Sequence, residues 1–547
     1  MPVMRFLCLL LLASVVAAAQ GPNSAPQKSN LKPSDLCSVE GAVVKSTTGE
    51  GIKRATVQLV PVGTGRQPYS TFTESGGAFT IRDVAPGRYV INALDEGYAP
   101  QAPGQGNTQP RVLDLAPGKN VNGITLRMVP PGVITGSVYD EEGDPVILAR
   151  VKAFRITGWK GQRQLGEAGS SETNDLGEYR IWGLPPGRYL VAANYHPPRS
   201  NPGPPTEGSD VYLLTFHPST SDTSQATLVE VRPGVEASGI DVDLRGARAA
   251  AVRGRVLSEI SAKPMRGIRV TLDLRAGSSS VSSYVTSTQN DSGDFEIRDV
   301  PPGSYVLWAF ASEGKRQLYG RTPVEVSGTD LESVSLVLSG SHTLGGKISS
   351  EDGSQLDFGR VGLWLQPLDS ASGGENAEIK PDGTFVLPVF EGNYRVRLFG
   401  YPQGYYVKSA RQGGSEVLES GLTISRSQPP AQLEVVLSPQ GGRVDGTALE
   451  AQHPASGIRV VLVPDPPRRD REEMYSIATT DDFGRFSLSG LPPGNFKLFA
   501  WETVPATDYT DPDFLRAFED RGTPVRIEEA QQQTVQLEVI TADEQIR

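Results

Sequence analysis

The side chains able to do chemistry are few and scattered. Four histidines, His196, His217, His342 and His453, are scattered along the chain, with His196 and His217 in the same part of it. None stands in a His-Glu-x-x-His arrangement, no Gly-x-Ser-x-Gly elbow occurs, and no glycine loop of the phosphate-cradling kind is present. His196 and His217 are near enough in sequence to share a metal, but a proline follows each in a loop. Solvated loop histidines are the expectation. The turns Asn174-Asp175-Leu176-Gly177, Asp291-Ser292-Gly293, Asp382-Gly383 and Asp481-Asp482-Phe483-Gly484 invite calcium. A calcium loop of the helix-flanked type supplies about five oxygen ligands over roughly 12 residues, and these turns offer one or two carboxylates each. Asp or Asn ahead of Gly is what a tight hairpin wants, so turns are expected and no metal or cofactor. No enzymatic role is expected.

Aromatic side chains recur more systematically. Each part of the chain has loop aromatics at a corresponding place: Tyr98; Tyr195; Phe310 and Tyr319; Tyr401, Tyr405 and Tyr406; Trp501 and Tyr509. Tyr and Trp offer a flat apolar face with a polar edge, which suits sugar rings or a protein partner. Loops at one end of a sandwich are the usual place for binding. Tyr98, Tyr195, Tyr319, Tyr401, Tyr405, Trp501 and Tyr509 are therefore the candidate ligand-binding residues. Covering the open end of a core is the alternative role for them. Trp182, Trp308 and Trp364 sit within strands and are expected in the core.

The elements that position these rings are announced by a repeated phrase. Asp83-Val84-Ala85-Pro86-Gly87-Arg88-Tyr89 returns as Gly183-Leu184-Pro185-Pro186-Gly187-Arg188-Tyr189, Asp299-Val300-Pro301-Pro302-Gly303-Ser304-Tyr305 and Gly490-Leu491-Pro492-Pro493-Gly494-Asn495-Phe496. Val389-Phe390-Glu391-Gly392-Asn393-Tyr394 is a worn copy. A Gly-x-aromatic step precedes each, at Phe79, Tyr179, Phe295, Phe385 and Phe486, with spacings of 100, 116, 90 and 101 residues. That period is too long for a solenoid repeat and fits a complete small domain. In the third copy Val252-Arg253-Gly254-Arg255-Val256 alternates apolar and polar, as a strand with one buried face does. The same alternation at Ile268–Leu272, Phe295–Ile297, Tyr305–Trp308 and Val334–Leu338 gives six or seven short strands between turns. The fold class expected is all-β: five tandem Ig-like or transthyretin-like antiparallel β-sandwiches in an extended string, at 37–129, 130–246, 247–339, 340–438 and 439–541.

Gly-x-Val, then Asp/Asn-x-x-Gly-x-Phe/Tyr-x-Ile, then Leu-Pro-Pro-Gly-x-Tyr resembles the carboxypeptidase regulatory-like domain. The resemblance implies a prealbumin-type sandwich of the transthyretin-like or Cna-B-like kind, and accessory modules without a peptidase domain. Some Cna-B-like modules carry an internal Lys–Asn isopeptide bond; only Lys45, Glu74 and Asn122 offer the set here, and Lys45 alternates outward from Val44, so no such bond is expected.

The N-terminus reads as a signal peptide over 1–19: a charged start, an apolar run from Phe6 to Val16, and Ala17-Ala18-Ala19 before Gln20. Residues 20–36 are polar and expected to be a disordered linker. Export to the periplasm, cell surface or medium is expected. No stretch is long and apolar enough to span a membrane. A net charge of −11 argues against nucleic acid. Cys37 remains alone once the leader is removed, so stability must come from burial and not from disulfides. Pro197 to Asp210 reads as an extended loop, and Asp511–Arg521 as a short helix with Phe514, Leu515 and Phe518 on one face. The function expected is a non-catalytic, monomeric scaffold or adhesion-type binding protein, with polysaccharide or a cell-envelope protein as partner. Carbohydrate binding through the loop aromatics is the alternative.

Overall fold

A computed structural model describes residues 32–541, apart from 63–66, 100–110, 160–161, 196–209, 277–278, 315, 369–374, 469–470, 482, 503–507 and 511. Residues 1–19, expected as a signal peptide, most of the expected linker 20–36 and most of Pro197–Asp210, expected as a loop, lie outside the described residues. The regular elements among the described residues are nearly all strands.

Apolar clusters gather within single sequence units: Cys37 to Met128, Ile134 to Leu244, Ala250 to Leu338, Leu344 to Leu437 and Val444 to Val539. In the third, alternation does the sorting. Val252, Val256, Val270, Leu272, Phe295 and Ile297 turn inward and are buried, while Arg253 and Arg255 turn out. Each large apolar side chain so buried contributes about 1.5–3 kcal/mol.

The opening strand is the centre of one layer. Ala250–Ser258 pairs antiparallel with Asp294–Val300 and parallel with Leu331–Gly340. The first, fourth and fifth units repeat this arrangement. The sheets are thus mixed where antiparallel ones were expected. A parallel pair needs a long crossover, and here the whole body of the unit provides it. In the facing layer Arg269–Ala276 lies between Ser279–Ser287 and Gly303–Glu313.

The glycine that opens each unit has a steric reason. A Cβ at Gly254 would lie 2.0 Å from the Val334 carbonyl oxygen and 2.7 Å from the Phe295 ring. Gly346 has the same neighbours in Leu433 O at 2.2 Å and Phe385 at 2.3 Å. Only a residue without a side chain lets the closing strand and the aromatic ring approach together.

Two sheets are buried on both faces. In the fifth unit Arg459–Pro464 is buried throughout, its outer side lying under Tyr509, Leu515 and Phe518. The covering segment is a short α-helix, Pro512–Arg516, followed by a 3-10 turn at Glu519–Arg521, and not one helix over Asp511–Arg521. In the second unit Phe154, Leu190 and Phe216 pack against Val281 of the third. That joint is a packed apolar face, which a string held only by short linkers would lack. Near 247 the chain is itself a strand, Gly246–Arg248, paired with Asp210–Tyr212.

Candidate functional site

The repeated Pro-Gly-x-Tyr phrase is a structural clamp. The Tyr89, Tyr189, Tyr305 and Tyr394 hydroxyls donate to the carbonyl four residues earlier, at Ala85 (2.7 Å), Pro185 (2.5 Å), Pro301 (2.8 Å) and Phe390 (3.0 Å). Burial pushes the Tyr305 phenol far above its ordinary pKa, so it stays a donor. The motif that stands out most in the sequence therefore holds a turn against the core.

The acidic turns are spent in the same way. Asp481 Oδ1 accepts from the Phe483 and Arg485 amides, Asn174 Oδ1 from those of Leu176 and Glu178, and Asp382 Oδ1 from that of Thr384. Among the described residues no group of three or more His, Cys, Asp or Glu could hold a metal. His217 Nδ1 lies 2.5 Å from the Asp241 carbonyl oxygen, and His196 lies outside the described residues. Cys37 is buried at the start of its strand, its thiol donating to the Ala116 carbonyl at 3.2 Å. Lys45 pairs with Glu50 at 2.7 Å, and Glu74 and Asn122 are exposed.

A second clamp escaped the sequence reading. Buried Thr73, Thr173, Thr288 and Thr480 each donate to a carbonyl in the turn before the second strand (Ile52, Val146, Met265, Ala455) at 2.6–2.8 Å. Each also accepts from an amide there (Ala55, Ala149, Ile268, Ile458) at 2.9 Å. The available signal was a Thr six or seven residues before four of the five Gly-x-aromatic rings.

The candidate binding aromatics divide. Trp501 is 0% exposed and stacks on Phe499, with ring centroids 4.9 Å apart; it has no surface to offer a ligand. Tyr509 is buried in the same cluster. Tyr98, Tyr195, Tyr401 and Tyr405 are partly buried lids on their own cores. Tyr401 is held above its usual pKa by burial and by the Glu473 carboxylate. Tyr319 differs: it lies 4.5 Å from Phe310, which is 48% exposed, and 5.4 Å from Phe390 of the next unit. Trp182 is 70% exposed, against the expectation of a core residue, and Trp308 and Trp364 are half-buried. The two-residue period explains all three. Tyr179 and Ile181, Leu307 and Ala309, Leu363 and Leu365 point inward, so the tryptophans between or beside them point out.

The family model of the carboxypeptidase regulatory-like domain matches residues 38–128. That stretch contains the first opening strand, the first Tyr clamp and the first Thr clamp. Among curated proteins none matches the chain. Solved structures with some likeness include a minor pilin of Streptococcus agalactiae, GBS52, at 15% identity, TM-score 0.24, covering 38% of this chain and 95% of that one. The Bacillus cereus major pilin BcpA matches at 10% identity, TM-score 0.16, over 56% of this chain and 99% of that one. The Bacillus anthracis TIE protein matches at 10% identity, TM-score 0.16, over 76% and 74%. At these values the likenesses carry no argument about activity or partners.

Beyond the regulatory-like match, two concave surfaces are present among the described residues of the third and fourth units. A cleft of about 440 Å³ is lined by Tyr319, Arg321, Phe390, Asn393, Thr423 and Arg426. Arg426 is held by Ser339 of the third unit and by Glu391 at 3.3 Å. A larger groove of about 1260 Å³ runs along the third unit between Ser282–Ser287 and Asp294–Arg298. On its bank Arg253 pairs with Glu296, Asp330 and Glu332 at 2.6–2.9 Å, and Arg255 with Asp294 at 2.9 Å.

Proposed function

We propose that the chain is an exported, non-catalytic scaffold or adhesion-type protein of five tandem regulatory-like sandwiches, presenting weak binding surfaces in series. The observation carrying this reading is that the recurrent polar side chains act as internal clamps, with Tyr or Thr hydroxyls or both doing so in every unit. What repeats is thus a framework. Repetition then acts through avidity, which raises apparent affinity roughly 10²–10⁴-fold without any strong single site. The test is adsorption of the whole chain and of a chain lacking the last two units to the envelope of the source cells. A loss of about tenfold or more in apparent affinity is expected; equal retention of both overturns the reading. Recovery outside the cytoplasm with a new N-terminus near Gln20 is the companion expectation.

The carbohydrate reading is favoured at one place, the Tyr319–Phe390 cleft, where flat rings and amide, hydroxyl and guanidinium edges meet. Retardation in gels containing soluble polysaccharides, abolished by Tyr319→Ala and unchanged by Trp182→Ala, is the outcome that supports it. No retardation on any polysaccharide removes it.

A further inference from the structure

The joints between units are fastened by different chemistry. That between the second and third is apolar, through Phe154, Leu190, Phe216 and Val281. That between the fourth and fifth is fastened by two sets of ion pairs. For the first, the connection from Arg459–Pro464 to Ser476–Thr479, the longest of the five corresponding connections, reaches back onto the fourth unit. Its Glu473 accepts hydrogen bonds from Arg397 of the fourth unit and from Arg471 beside it. Arg471 Nη1 also meets Glu419 of the fourth unit at 3.0 Å, and Arg468 meets the same carboxylate at 3.5 Å. The Arg397 and Arg471 side chains are 11% and 7% exposed, so protein groups and not water balance their charge. For the second, Glu529 of the fifth unit accepts from Tyr406 Oη at 2.7 Å and pairs at 2.9 Å with Lys408, which also holds Glu351. The backbones touch as well. A Cβ at Gly490 would lie 2.6 Å from the Tyr405 carbonyl oxygen, and one at Gly441 would lie 2.5 Å from that of Gly404.

We propose that the fourth and fifth units form one rigid body, held by a charge lock that acid opens. Glu473 faces Arg397, Arg471 and the Tyr401 phenol, and Glu419 faces Arg468 and Arg471. Glu529 faces Tyr406 and Lys408, with Glu351 a like charge that Lys408 also holds. Hydrogen bonds from Tyr406 and Lys408 keep the Glu529 carboxyl below the ordinary glutamate range, and those from Lys408 and Ser438 do the same for Glu351. A carboxylate so lowered fastens the joint above its ordinary value, about 4.3, and releases it as pH falls through the lowered one. Protonating Glu473 removes the charge that faces two buried guanidiniums, which favours parting of the units. The cluster at the second–third joint is built of Phe, Leu, Ala and Val, so acid leaves that joint closed. Two joints of one chain thus answer differently to pH. The inference stands without the scaffold reading and does not depend on avidity.

The measurement is the distance distribution between two nitroxides, by pulsed electron paramagnetic resonance on the full chain carrying Cys8→Ser and Cys37→Ser. One label pair, at Ser415→Cys and Gln536→Cys, uses exposed positions of the fourth and fifth units. A second pair, at Gln225→Cys and Gln317→Cys, reports on the second–third joint. Both pairs should give one narrow distribution at pH 7. At about pH 3 the first should broaden about twofold, and reversibly, while the second keeps its width. Glu473→Gln combined with Glu529→Gln should produce the same broadening at pH 7. If that variant unfolds, Arg397→Gln combined with Lys408→Gln removes the same bridges from the fourth unit and should broaden the first pair alike. A broad first distribution at pH 7 without these substitutions, or a narrow one in both variants, overturns the lock. An unchanged first width at pH 3 overturns its opening by acid, and equal broadening of both pairs overturns its assignment to this joint.

Discussion

The third and fourth units carry the same landmarks in the same order and part company at the end of one strand. In the third, the Thr288 hydroxyl ties the chain to Met265 and Ile268 in the turn before the second strand, and Ser279–Ser287 remains an open edge. In the fourth, Ile379 stands where the other units have threonine. Without the hydroxyl the strand end is free to continue its hairpin, and it pairs with Thr384–Val389. The layers are then linked into a nine-stranded path. The unit without the buried hydroxyl is the one whose edge strand pairs across to the opening layer, so tandem copies of one fold carry different edges.

Several substitutions would break or sharpen this contrast, each followed by hydrogen exchange on the full chain with the units resolved separately. The largest effect is expected where the units agree. Gly254→Ala and Gly346→Ala each force a Cβ into a backbone carbonyl and a ring, and should destabilise their own unit by about 3 kcal/mol, the upper end of overpacking. A marked difference between them would mean that the parallel pairing is not equivalent. Next comes Thr288→Val, which leaves the Met265 carbonyl and the Ile268 amide without their hydroxyl partner, at about 2 kcal/mol. Its counterpart Ile379→Thr should expose the Glu378 and Ile379 amides to exchange while the rest of the fourth unit stays protected. Unchanged protection there would remove threonine as the deciding residue.

Smaller still is the loss of the shared clamp. Tyr305→Phe and Tyr394→Phe should each destabilise by about 1 kcal/mol. The fifth unit already lives with Phe496 in that position. The least effect is electrostatic. Hydrogen bonds from Ser292, Arg255 and Asn290 bring the Asp294 carboxyl down to about 2. A folded pKa below the unfolded one, about 3.9, stabilises above the unfolded value and is lost as pH falls toward 2. The third unit should therefore soften between about pH 4 and pH 2, and Asp294→Asn should flatten that dependence; an unaltered slope would discount the carboxylate.

Much of the fold was legible because alternation, Gly-x-aromatic steps and Pro-Gly turns are local signals, and they place the opening strand and the ring in each copy and the Tyr clamp in the first four. The candidate rings were less legible. Trp501 and Trp182 both lie on outward-facing positions of strands. One is covered by Tyr509, Leu515 and Phe518 and the other is bare. Whether an outward residue meets water depends on a distant segment, which no period records. The Thr clamp was visible as a recurring letter but not as a bond, since its partners lie 18–27 residues away.

From the residues alone came the all-β class, the hundred-residue period and the turns, because strand polarity and φ preference are set within a few neighbours. Left to the tertiary structure were the parallel closing strand, the doubly covered sheets and the open seam beside Ser282–Ser287. Those depend on which hydrogen bonds and apolar faces find each other across the unit.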